Sequence, residues 1–183
     1  ESALSGKYDV DEARRLLEEA GYPNGEGMPK IEILYNTNED HATIAQVIQQ
    51  QWSKLGIKCE LRNLEWGTFL DTLSNTRYSV SRSAWTGDYP DPNTFLDMFV
   101  TKGPNNQTNW SNAEYDKLIE DSKKASGAER LQILTRAERI LMDELPILPI
   151  YFYVSKNMVN PKVKGFTSTL QDLHPLDMLS VEK

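Results

Sequence analysis

Between Ile31 and Leu61 the apolar period changes from two to helical and back to two, and this constrains the fold more than any other feature of the chain. Ile31-Glu-Ile-Leu-Tyr35 alternates as a strand does, because successive side chains of an extended chain point to opposite faces. From Asp40 to Leu55 the apolar positions Ile44, Val47, Ile48, Trp52 and Leu55 return at helical spacing, and Gly56 ends the run. Ile57, Cys59 and Leu61 then alternate again. Strand, helix and strand in this order predict a right-handed parallel βαβ unit, and with it an α/β fold.

The remaining elements fit that class. Asp9 to Gly21 predicts a helix with Val10, Ala13, Leu16, Leu17 and Ala20 on one face, capped by Asp9 and ended by Gly21. A short helix is expected at Trp66 to Leu73 and a strand at Tyr78 to Trp85, after which Gly87-Asp-Tyr-Pro-Asp-Pro92 forces a turn. Amphipathic helices are expected at Ala113 to Ser122 and Ala128 to Leu145, the second stopped by Pro146. Ile147 to Val154 reads as a last strong strand, and beyond Lys156 the pattern weakens, as if that tail depends on other structure.

Composition narrows the function classes. The 183 residues are enough for one compact core, or for one domain plus a subordinate piece. A net charge of −7 without any Lys/Arg cluster repels phosphate backbones, which argues against a nucleic-acid partner. No apolar run approaches the ~18 residues of a membrane span. The lone Cys59 excludes an intramolecular disulfide and reads as a small buried hydrophobe. The start at Glu1, without an initiator methionine or a secretion signal, leads us to expect that upstream sequence was processed or cut away.

His41 and His174 are far apart and no Cys-x-x-Cys spacing exists, so neither a metal site nor a cofactor is expected. Glycine-rich phosphate loops and nucleophile turns are also absent. Asp88 and Asp91 could serve as an acid–base pair, but a turn role suits them better, since paired catalytic carboxylates come from opposed walls of a cleft. Arg82-Ser-Ala-Trp85-Thr-Gly-Asp88-Tyr89 sets a cation, two aromatics and a carboxylate around one expected strand end. Ligands of open α/β sheets sit at such ends, and this mixture suits a zwitterion.

The same run, continued through Pro92-Asn-Thr-Phe95-Leu, resembles the hallmark of the oligopeptide- and dipeptide-binding proteins, the family 5 extracellular solute-binding proteins. Ala13 to Tyr22, Ile31 to Asn36, Leu55-Gly-Ile-Lys-Cys-Glu-Leu61, Glu65-Trp66 and Phe69-Leu-Asp71 agree in order. Asn106 to Trp110, Tyr115-Asp116, Ala137-Glu138 and Leu148 to Val154 follow. The resemblance implies an α/β, periplasmic-binding-protein-like lobe with a mixed sheet flanked by helices. It implies a two-lobed extracytoplasmic receptor, periplasmic or a surface lipoprotein, that closes on short peptides and delivers them to the membrane subunits of an ABC permease, without catalysis.

On this resemblance residues 1–155 are most of the second lobe, and 156–183 cross back to a first lobe that is missing here. Asp88 resembles the carboxylate that pairs with the peptide α-amino group. Arg82 and His41 resemble positions that meet the peptide carboxylate, and Trp66, Trp85 and Tyr153 resemble pocket walls. The chain departs from enteric oligopeptide-binding members, which have arginine at Leu73 and cysteine at Thr86. The alternatives are a family member binding a nickel chelate, haem or oligosaccharide, a small hydrolase using Asp88 and Asp91, and a scaffolding domain.

Overall fold

The computed structural model of the chain describes residues 8–169 and 171–182. These fall into two compact units, residues 8–84 with Gln107–Asn109, and residues 85–106 with 110–182.

The first unit is organised around β1 (Ile31–Asn36), which lies between β2 (Cys59–Leu64) and β3 (Val80–Ser81) and pairs with both in parallel. Parallel neighbours cannot be joined by a tight turn, and α2 (Glu39–Ser53) provides the crossover from β1 to β2. Asn38 caps α2 by accepting a hydrogen bond from the His41 N–H at 3.1 Å, and Glu39 and Asp40 in its first turn complement the helix dipole.

Both faces of the sheet are covered, as parallel sheets require. Ile33 and Tyr35 pack with Ala45 of α2, supported by half-buried Ile48, Trp52, Cys59 and Leu61. Leu34, fully buried, faces the other way onto Phe69 and Leu73 of α3 (Trp66–Ser74). At the turn into β2 two backbones touch. Gly56 has φ +80°, and a Cβ there would lie 1.8 Å from the Asn24 carbonyl oxygen, so only glycine fits.

The helix α1 (Val10–Glu19) forms as expected, with Asp9 accepting from the Glu12 N–H at 2.9 Å. Its apolar stripe is largely uncovered, however: no residue of α1 is fully buried and Leu16 is 51% exposed.

The second unit has its core between α5 (Ala113–Ser122) and α6 (Gly127–Glu144), with Leu96 and Phe99 packed onto them. Tyr115 is wholly buried, its hydroxyl donates to the Leu96 carbonyl, and Trp110 meets its ring edge-on at 4.9 Å. Burial raises the Tyr115 phenol far above its ordinary value, so it stays protonated and keeps this hydrogen bond. Leu96 belongs to a short helix, α4 (Asn93–Leu96), that sequence periodicity does not announce. The helix α6 ends where Leu145 takes a left-handed conformation (φ +49°) ahead of Pro146, which disfavours helical geometry in the residue before it. A two-residue antiparallel ladder, β4 (Val163–Lys164) with β5 (Ser180–Val181), completes the unit, so the chain carries both parallel and antiparallel pairing.

Two expected strands are corrected. Only Val80 and Ser81 of the Tyr78–Trp85 run pair with β1, and the Arg82 N–H to the Leu34 carbonyl, at 2.8 Å, is the last bond of that edge. Residues 147–154 form no strand: they have β-compatible side chains but no strand pairs with them among the described residues, and Pro149 lacks a donor. Leu148, Ile150, Tyr151, Phe152, Tyr153 and Val154 are 48–81% exposed. No helix among the described residues is long and apolar enough to cross a membrane.

Tyr115→Phe leaves the Leu96 carbonyl without its buried donor and is expected to cost about 1–3 kcal/mol in urea unfolding. Leu16→Ala, on the uncovered face of α1, is expected to change stability by less than about 0.5 kcal/mol. Equal effects of the two would contradict this account of the core.

Candidate functional site

Parallel pairing brings the carboxyl ends of β1, β2 and β3 to one edge of the sheet, where the chain leaves toward His41, Trp66 and Arg82 respectively. Three candidate residues scattered through the sequence are therefore gathered at the edge where α/β sheets hold ligands.

His41 is the third residue of α2, and its Nδ1 donates to Asn36 Oδ1 at 2.9 Å, which leaves Nε2 as the acceptor of the neutral ring. Burial lowers the His41 pKa and the nearby Arg82 charge lowers it further, against weaker opposing effects of Asn36 and Asp40. The ring is therefore neutral at neutral pH. Trp66 opens α3, is 52% exposed, and stacks on buried Phe69 with ring centroids 5.8 Å apart.

Trp85, Asp88 and Tyr153 belong to the second unit. Trp85 and Asp88 share the segment between β3 and α4, and Trp85 is 37% exposed. Tyr153 lies in the irregular 147–154 segment, its ring 4.8 Å from that of Tyr151.

Asp88 is exposed, and its backbone is held on both sides: its N–H donates to Thr94 Oγ1 at 3.0 Å and its carbonyl accepts from the Gln171 side chain. Thr94 is itself only 2% exposed. Gly87 permits this approach, since a Cβ there would meet Thr94 Cγ2 at 3.0 Å and Phe95 Cζ at 3.1 Å. The Asp88 carboxylate has no hydrogen bond or ion pair among the described residues, so an anchored loop presents an uncommitted anion.

Asp91 is differently placed. Both its oxygens accept from the Arg130 guanidinium, at 2.7 and 2.8 Å, and Oδ1 also accepts the Asn93 N–H at 2.9 Å. The Arg130 hydrogen bonds hold its carboxyl below the usual carboxylate range, opposed by burial and aided by Asn93. An acid–base pair needs one carboxyl raised, so this geometry runs against the hydrolase alternative.

Sequence reasoning assigned no role to Asn36, Thr94, Arg130 or Gln171, which act on candidate residues. Asn36, at the end of a predicted strand, and Thr94, inside the Pro92-Asn-Thr-Phe95 run, carried a signal that could have found them. Among the described residues no group of three or more His, Cys, Asp or Glu side chains is placed to hold a metal. A shallow cavity of about 460 Å³ beside Cys59 and Gln49 lies at the start of β2, the opposite sheet edge from His41.

Comparison with known proteins gives a consistent pattern. The sequence model of the bacterial extracellular solute-binding proteins, family 5 (middle), matches residues 1–107. The oligopeptide-binding protein OppA of Bacillus subtilis (strain 168) is 40% identical over 164 residues, which is 86% of this chain and 30% of that protein. The dipeptide-binding protein DppE of the same organism is 35% identical over 179 residues, 96% of this chain and 32% of its own length. The crystal structure of Haemophilus influenzae OppA in complex with RPPGFSPFR superposes with a TM-score of 0.81 at 38% identity, covering 94% of this chain and 34% of that one. The chain thus spans about a third of the length of the relatives it matches.

Two pH responses follow. Asp91, held below its unfolded value, binds fewer protons in the folded state than in the unfolded chain. It therefore contributes stability above the ordinary carboxylate range that is lost as pH falls through the lowered native value. Melting temperatures recorded from about pH 5 to pH 2 should fall less steeply in Asp91→Asn than in the parent. For His41, NMR titration should give a midpoint below the ordinary ~6.5, moving upward in Arg82→Gln. An unmoved midpoint would mean that the Arg82 charge does not reach the ring.

Proposed function

Since the chain belongs to the bacterial extracellular solute-binding proteins of family 5, we propose that it is part of the solute-capturing component of an ABC importer and that its ligand is a short peptide. The observation that carries this reading is Asp88: an exposed carboxylate without an ion pair among the described residues, on a loop anchored at both its N–H and its carbonyl. Such a group suits the free α-ammonium of a peptide. A charge-assisted hydrogen bond in a closed cleft is worth about 1.5–3 kcal/mol, enough to prefer free over blocked amino termini. Support comes from the OppA relative solved with RPPGFSPFR.

Trp85, Trp66 and Tyr153 supply aromatic walls in this reading, and Arg82 with His41 meets the peptide carboxylate. Arg82 supplies the charge, since His41 is neutral when empty. An arriving carboxylate favours the imidazolium and offsets the burial and Arg82 effects that oppose it.

The chain is then one lobe of a two-lobed receptor. Residues 1–155 form most of the second lobe and 156–183 cross back to a first lobe, in keeping with a chain about a third the length of its relatives. The exposed apolar side chains of 148–154 are what a segment completed by other structure would show. The role is binding and delivery rather than catalysis, consistent with the committed Asp91 carboxylate. An extracytoplasmic location, with the permease membrane subunits as partners, follows from the same role.

The test uses the complete receptor, because affinity in a hinge-closing protein comes from burying the ligand between both lobes. Asp88→Asn should weaken binding of a pool of free short peptides by about 10- to 100-fold in calorimetry and leave binding of the N-acetylated pool unchanged. Undiminished affinity for free peptides would remove Asp88 from the amine site.

A further inference from the structure

We propose that Arg130 is a positioning residue for recognition of the ligand's amino group: through Asp91 it holds the loop that aims Asp88. The proposal rests on the reading of Asp88 given above.

Arg130 is the fourth residue of α6, in the first turn, where the positive end of the helix dipole disfavours a cation. Its place is therefore not explained by helix stability. What it gains there is Asp91, 39 residues earlier, contacted at two points by a planar fork that fixes the carboxylate in orientation as well as distance. Both side chains are largely covered, 24% and 30% exposed, so the pair is less screened than one on the open surface.

The pinned carboxylate then organises the turn. Asp91 Oδ1 accepts the Asn93 N–H, and the Asp91 carbonyl accepts the Thr94 N–H at 3.2 Å. Thr94 Oγ1 in turn receives the Asp88 N–H at 3.0 Å. Three hydrogen-bonded steps thus connect the guanidinium to the residue that faces the ligand. Proline at positions 90 and 92 fixes two backbone torsions in the same turn, so little slack remains for it to absorb a shift. Lysine would keep the charge but lose the two-point contact that sets the angle.

A displacement of about 1 Å takes a charge-assisted hydrogen bond out of hydrogen-bonding distance. In the complete receptor, Arg130→Gln is expected to weaken binding of free short peptides about tenfold while leaving the N-acetylated pool within about twofold, so that discrimination between the pools collapses. Arg130→Lys should recover part of that discrimination. A merely structural role would lower the melting temperature without changing the ratio of the two affinities. An unchanged ratio in Arg130→Gln, or equal weakening of both pools, overturns the proposal. Should Arg130→Gln fail to fold, the isosteric Asp91→Asn carries the same comparison, with the same outcomes. If the parent receptor itself does not distinguish the two pools, the amine reading of Asp88 fails first, and that result is separate from any effect of Arg130.

Discussion

The parallel pairing of β1 with a strand on each side is the interaction on which the first unit depends. It buries Leu34 completely between two neighbours and requires helical cover on both faces, which α2 and α3 supply. It also requires every connection to return to the same end of the sheet, so that the carboxyl ends of all three strands share one edge. His41, Trp66 and Arg82 stand together for this reason alone, since nothing in their local sequence links them.

The second unit reaches a comparable result by different means. Its segment from Trp85 to Phe99 runs without helix or strand as far as Pro92 and is held by side chains: the buried Thr94 hydroxyl, the Asp91–Arg130 pair, and Tyr115 reaching the Leu96 carbonyl. Loops are where function concentrates, but a loop can present a charge usefully only if something prevents it from relaxing toward solvent or a nearby cation. Here Asp91 takes Arg130, and Asp88, three residues earlier, is left without an ion pair among the described residues.

Much of this was legible before any coordinates. The change of apolar period between Ile31 and Leu61 predicts β1, α2 and β2, and those elements form within a few residues of their expected bounds. Such patterns survive because burial acts on each face of an element locally. The strand expected at 147–154 did not form, although its side chains favour one, because a strand needs a partner and no local pattern states whether one exists. The run from Tyr78 shortened to Val80–Ser81 for the same reason. In α1, Leu16 lies on the expected apolar stripe yet is exposed, since periodicity shows which face is apolar but not what covers it.

By itself, then, the sequence determined the α/β class, the longer helices with the Asp9 cap of the first, the family, and the residue types that could meet a zwitterion. These depend on periods of two and 3.6, on capping side chains and on a contiguous motif, all written over short distances along the chain. The tertiary structure decided which carboxylate is paired with an arginine, how the His41 ring is held, and which edge collects His41, Trp66 and Arg82. Those outcomes depend on groups far apart in sequence, Arg130 with Asp91 and Arg82 with His41, whose meeting is set by strand pairing and helix packing. A charge in a sequence has a sign, and its partner is assigned only when the fold brings another charge within reach.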